Sequence, residues 1–316
     1  MGLLTIAAFG LDAPAHAQRW PEKPVRVIVP FSAGGLTDGI ARLVSQRLAE
    51  NLDQAFVIEN MTGGAGTIAA RTVARAPADG YTIFLASLTQ IGVLPAIEDV
   101  AYDPVKDFAP VSNVASTPFV LMVHPSFPAR TLSEFVDHVR AHPGKLAYGS
   151  AGAGSVSHLA MALLLKRAGL DMIHVPYRGG SQVVPDLVAG HVTSYFGNRT
   201  DAVPQARAGT VRLLAVADDR RSDQFPDVPT VIESGYPGFR AITWNGLMVP
   251  AATPKPIIDQ LAREVQRIVK EPAFLEKAAN FGLDLIGDTP QEFAATIAAD
   301  VPLWAEAVAV AGARRQ

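Results

Sequence analysis

The amino-acid sequence predicts an α/β protein of two lobes, each a sheet flanked by helices, with a ligand site between them. Three observations carry this reading. Strand-like and helix-like runs alternate along most of the chain. One device occurs twice, in separate halves: an apolar strand, a glycine-rich turn, then a helix opening straight from the turn. Two long extended runs, one on each side of the second half, look like crossovers between lobes.

The elements follow in order. Residues 3–11 are a short apolar run, and Ala15-His16-Ala17 after it fits the small-x-small rule for signal-peptide cleavage. Residues 1–17 are therefore read as a signal-peptide remnant, although the basic residues that usually precede such a run are missing. Residues 25–31 form an apolar strand that enters Ser32-Ala33-Gly34-Gly35, and Leu36, Ile40, Leu43, Val44 and Leu48 then share one helical face. A second strand at 56–59 leads through Gly63-Gly64-Ala65-Gly66 into a helix reaching about Ala76, and 81–87 is a third strand. Repeated β-α-β with apolar strands implies a parallel sheet covered on both faces. Residues 102–110 read as an irregular connection and 111–123 as the first crossover.

Thr131-Leu-Ser-Glu134 is a capping box opening the next helix. Strands are expected at 146–149, 172–176, 192–196 and 211–217, with helices at 157–168, 182–189 and 201–208. Residues 225–238 are a Pro/Gly-rich linker, and 241–249 are the return crossover. Ile257, Leu261, Val265 and Ile268 then share a helical face, and Thr289-Pro-Gln-Glu292 caps a last helix with proline at its first position.

Composition excludes several functions. The 316 residues carry a formal charge of −3, with 18% charged and 49% hydrophobic residues and no cysteine. Near-neutrality without a basic cluster argues against nucleic acid as partner. The lack of cysteine removes disulfides, thiolate nucleophiles and Cys-ligated zinc. Beyond the first run, no segment approaches the about 20 apolar residues of a membrane span.

Several short motifs in fixed order resemble one family. They include Trp20-Pro-Glu-Lys-Pro-Val25, Pro30-Phe-Ser-Ala-Gly-Gly-Leu-Thr-Asp38, Gly63-Gly-Ala-Gly66 and Ala78-Asp-Gly-Tyr-Thr82. Tyr148-Gly-Ser-Ala-Gly-Ala-Gly154, His158-Leu-Ala160, His174-Val-Pro-Tyr-Arg-Gly179, Asp227-Val-Pro-Thr230, Trp244 and Gly246-Leu247 follow. Over nearly the whole chain after residue 17 it resembles the Bug (TctC-type) extracytoplasmic solute receptors of bacterial tripartite tricarboxylate transporters. The resemblance implies a two-lobed Venus-flytrap fold of the periplasmic-binding-protein type II. It also implies a periplasmic, monomeric protein that uses no cofactor, catalyses nothing, and passes a small carboxylate to a membrane transporter or a sensor. The lobes would be 18–118 with 222–316, and 119–221.

The candidate binding residues lie at the two turns. A helix start holds anions through unpaired N–H groups and a partial positive charge, and glycine there admits close approach. In the first turn, Phe31, Ser32, Ala33, Gly34 and Gly35 offer amides and a hydroxyl, and Asp38 is a capping or orienting carboxylate. In the second, Ser150, Ala151, Gly152, Gly154 and Ser155 do the same, while His158 is either a donor to the ligand or a packed histidine. Ser87 and Thr89 end the third strand, where ligands of open α/β sheets gather. Gly197 stands where related receptors usually carry an acid, beside Asn198 and Arg199; Arg199 is either a carboxylate partner or a solvated helix-start residue. Trp244 and Tyr177 would line a cleft or pack a hinge.

Other chemistries trail. Gly64-x-Gly66-x-x-Ala69 fits a dinucleotide fingerprint but follows the second strand, which leaves a nucleotide-dependent oxidoreductase as the alternative. His138 and His142 stand four apart without a third ligand, so no metal is expected. Tyr148 replaces the first glycine of a hydrolase elbow at Ser150.

Overall fold

Two sheets, each built on three parallel strands in the same order, are joined by one long strand that belongs to both. In the computed structural model, which describes residues 20–280 and 283–311, β1 (Val25–Val29) leads into α1 (Leu36–Leu52), β2 (Phe56–Asn60) into α2 (Thr67–Ala74), and β3 (Thr82–Ser87) follows. A short helix, α3 (Leu94–Ile97), precedes the long strand β4 (Phe108–Val123). After α4 (Leu132–Ala141) the pattern repeats: β5 (Ala147–Ser150), α5 (Val156–Ala168), β6 (Ile173–Pro176), α6 (Gly180–Val188), β7 (Ser194–Asn198). The chain continues through α7 (Arg199–Arg207), β8 (Arg212–Val216), β9 (Ile242–Pro250), α8 (Lys255–Ile268), α9 (Pro272–Asn280), β10 (Asp284–Leu285) and α10 (Pro290–Ala311). The expected export signal lies outside the described residues.

Strand order is β2-β1-β3 in the first sheet and β6-β5-β7 in the second, all parallel. In each, the first strand of the unit is central, so the turn after it opens at the carboxyl end of the sheet where the order reverses. β1 and β5 are those strands, and the two glycine-rich turns follow them.

The sheets are mixed rather than wholly parallel. β9 runs antiparallel to β3 and to the first part of β4, and the last part of β4 runs antiparallel to β7 and β8. The cause is the crossover itself: β4 pairs with β9 up to Pro118 and with the second sheet from Phe119, entering each sheet from the far side. The stretch expected to be irregular up to Pro110 already contributes to β4 from Phe108.

Local chemistry explains the helices. Ile40, Val44 and Leu48 of α1 are buried and pack with Val27 and Leu85 of the first sheet. Thr131 Oγ1 accepts from Glu134 N–H at the start of α4. At α10 the box is reciprocal: Thr289 Oγ1 accepts from Glu292 N–H, and Glu292 Oε2 accepts from Thr289 N–H at 2.8 Å. α10 lies against β9, where Phe293 meets Trp244 edge-on at 5.0 Å and Trp244 Nε1–H donates to Asp300 at 2.7 Å. Trp244 is therefore packing.

Gly246 sits beneath that ring. A Cβ there would fall 2.3 Å from Phe293 Cζ and 3.0 Å from Ser112 O. Gly246→Ala is expected to destabilise the protein by about 1–3 kcal/mol through overpacking, read from the urea midpoint at unchanged m value.

Candidate functional site

Four helices begin at one small cavity between the sheets. Leu36 and Thr37 of α1, Val156 and Ser157 of α5, Gly180 of α6 and Asn198 before α7 all line it. The first-turn N–H groups of a helix have no intrahelical acceptor. α5 and α7 carry side-chain caps, since Ser155 Oγ accepts from His158 N–H and Asn198 Oδ1 from Asp201 N–H. α1 and α6 begin at Gly35 and Gly179 with no side-chain cap. These two uncapped starts belong to opposite sheets and touch, with Ser32 Oγ 2.8 Å from Ser181 Oγ.

The cavity is about 50 Å³, and none of its lining residues is charged. At Phe31 and Ala151 it meets an outer cleft of about 330 Å³, which also takes in Ala65, Leu94, Gly152, Gly154, His158, Tyr177 and Arg178. Groups of the two sheets meet across this space. A Cβ on Gly154 (φ +81) would lie 2.7 Å from Leu94 Cδ2, so that turn needs glycine for its conformation and for contact across the cleft.

The turn amides themselves are largely occupied. Gly34 N–H donates to Asp38 Oδ2, Ala151 N–H to Ser157 Oγ, Gly152 N–H to Ser150 Oγ, and Gly154 N–H to His158 Nδ1. The turns are braced by their own side chains, and the donors left over are those of the helix starts behind them. Asp38 shows how. Burial alone would raise its pKa, but bonds from Arg42, Gly34 N–H and Asn60 outweigh that and hold the carboxyl below its usual range. It is an orienting group, buried inside the turn.

The family model of the tripartite tricarboxylate transporter family receptor, TctC, matches residues 40–311. The chain belongs to this TctC receptor family. Solved structures agree over almost the whole chain. The periplasmic binding protein BugD is 32% identical with a TM-score of 0.89, covering 94% of this chain and 100% of its own. Rpa4515 of R. palustris, solved with adipate, is 33% identical with a TM-score of 0.90 over 93% and 98%. MatC from Rhodopseudomonas palustris, with bound malate, is 35% identical with a TM-score of 0.88 over 92% and 100%. The protein is thus a two-lobed solute-binding receptor and not an enzyme.

Within this receptor, Phe31, Gly35, Ser87, Thr89, Ala151, Ser155 and Asn198 line the inner cavity, and Gly152, Gly154 and His158 the outer cleft. Ser32, Ala33, Gly34, Asp38, Ser150 and Gly197 lie outside both. Gly197 is packed: a Cβ there would fall 2.3 Å from Met122 Cε and 2.6 Å from the Tyr195 ring. Sequence reasoning missed the start of α6, Tyr195, Thr243 and Asn245. The pair Gly179-Gly180 and a lone asparagine in an apolar strand were the available signals.

One expectation is corrected, and the open alternatives are resolved. Arg199 is neither solvated nor free for a carboxylate: it is buried, ion-paired with Asp284 and bonded to Thr117. The 64–69 fingerprint follows β2, an edge strand. A Cβ on its Gly66 would meet Gln90 Nε2 at 2.4 Å and Pro30 Cβ at 2.7 Å, so packing accounts for that glycine. Tyr177, read as cleft lining or hinge packing, lines the outer cleft with its hydroxyl donating to Asp186. His138 and His142 lie ring to ring at 4.4 Å, and no metal-binding cluster exists among the described residues.

A histidine pair backs the second turn. His158 and His174 stack at 4.0 Å, Tyr148 stacks on His174, and His174 Nε2 is 2.7 Å from Ser150 Oγ. Burial, and for His158 also its neighbour His174, pushes both down to about 4 from 6.5. His158 must be neutral at Nδ1 to accept from Gly154. Between pH 6.5 and 4 the unfolded chain therefore binds more protons at these sites, and their contribution to stability falls as pH falls. Asp201 and Asp288, pushed up to about 6 by burial, act in the opposite sense, so a difference must be read. The stability of wild type relative to His158→Asn is expected to drop by about 1 kcal/mol per pH unit across that window in chemical denaturation. A pH-independent difference would contradict the assignment.

Proposed function

We propose that this receptor captures a small carboxylate in the inner cavity. The observation that carries the reading is the pair of uncapped helix starts, α1 and α6, meeting from opposite lobes across an uncharged space. A carboxylate set there receives N–H donors and the positive ends of helix dipoles from both sides without any cationic side chain. The bound malate and adipate of MatC and Rpa4515 support the same ligand class.

Capture follows from geometry. The open receptor offers one lobe's donors, and closure brings the other lobe's donors and removes water, which strengthens each bond. Residues 119–221 move as the second lobe, hinged where β4 changes sheets. The receptor works in the periplasm, as the cleavage pattern at residues 15–17 and the periplasmic BugD suggest, and is taken to act as a single chain. A membrane partner, either a transporter of the tripartite tricarboxylate type or a sensor, reads the closed form.

Calorimetry against mono-, di- and tricarboxylates is expected to find at least one ligand in the micromolar range or tighter; silence across the panel would sink the proposal. Closure has its own test. Gly179 has an extended backbone, but a Cβ there would lie 2.4 Å from Ser32 Oγ and 3.3 Å from Ser32 N across the cleft. Gly179→Ala is expected to weaken the ligand by about 10-fold or more while moving the unliganded Tm by under about 2 °C. Equal loss of Tm and affinity would make Gly179 a packing residue instead.

A further inference from the structure

We infer that Asn245 reads the far end of the ligand, and that this end is an uncharged group able both to donate and to accept a hydrogen bond. The inference rests on the receptor reading above and narrows it to short monocarboxylates bearing a carboxamide or a hydroxyl.

Asn245 lies in β9, directly opposite Ser87 of β3, and lines the inner cavity. It is 1% exposed, and neither its Oδ1 nor its Nδ2 has a hydrogen-bond partner. Four polar side chains that line the same cavity are already engaged with other protein groups. Ser87 Oγ–H donates to Gln90, Ser155 Oγ–H to Gly152 O and Tyr195 O–H to Asp201, while Asn198 accepts from Asp201 N–H. An unpaired buried amide is unfavourable unless a guest completes it. Asn245 sits in the apolar run Trp244-Asn-Gly-Leu-Met-Val249, where a leucine would fit the strand and remove that cost.

The two free atoms specify chemistry. Oδ1 needs a donor and Nδ2 an acceptor, a combination that a carboxamide or hydroxyl supplies. A second carboxylate at neutral pH supplies acceptors only and would leave Oδ1 unpaired. Size limits the guest as well. A water-sized occupant takes about 10–15 Å³ of such a space, so the inner cavity holds roughly three to five of them, the length of a short chain.

The test uses four probes of similar length: butanoate, 4-hydroxybutanoate, succinamate and succinate, titrated calorimetrically into wild type and Asn245→Leu. Wild type is expected to prefer succinamate or 4-hydroxybutanoate over butanoate and succinate by about 10- to 100-fold. In Asn245→Leu that preference should fall to within about 2-fold, with butanoate bound as well as before or better. Should the leucine variant fail to fold, Asn245→Val is read in the same way. A preference that survives the substitution overturns the inference and leaves Asn245 to bound water. No preference in wild type overturns it too, as does failure of all four probes while another carboxylate binds. Failure of every carboxylate defeats the receptor reading instead.

Discussion

The unpaired N–H groups at the helix starts are the constraint around which this receptor is arranged. A helix that begins at a buried place without a cap leaves donors in need of acceptors. Here two such helices, α1 and α6, begin face to face on different lobes, and two capped ones, α5 and α7, begin beside them. Concentrating donor ends on an uncharged cavity makes a site for negative charge that no arginine or lysine has to supply. With no charged lining, the proposed site leaves ligand selectivity to neutral groups such as Asn245, Thr243 and Thr89.

The strand topology puts those helix starts where they are. Each lobe repeats the order in which the first strand is central, so each sends its first helix from the reversal point at the carboxyl end. β4 spans both sheets without a break, which brings the two reversal points to one crevice. Side chains then stiffen the turns: Asp38 with Arg42 and Asn60 in the first, and Ser150, Ser157 and the His158–His174 stack in the second. A braced turn holds the helix start behind it at a fixed height, so little ordering remains to oppose binding.

What could be read from sequence was what is local. The strand, turn and helix devices at residues 25–48 and 146–168 were legible because apolar period, glycine and helix start follow one another along the chain. The crossovers at β4 and β9 were legible as unusually long extended runs, though not their antiparallel pairing, which depends on which sheet each enters first. The inner cavity was only partly legible. Asn245 and Thr243 reach it through strand register with β3 and β4, and Gly180 because α6 happens to face α1. Arg199 misled for the same reason, since its partner Asp284 lies 85 residues away. The turn amides were assigned to ligand because nothing local announces that Ser157, Ser150 and His158 fold back onto them.

The most direct test is to watch the helix-start amides themselves. In a ¹H–¹⁵N spectrum of the labelled receptor titrated with a carboxylate that it binds, the amides of Leu36, Thr37, Val156, Ser157, Gly180 and Ser181 are expected to move downfield together as they gain a charged acceptor. Resonances that stay in place there, while those lining another surface groove shift, would contradict the account.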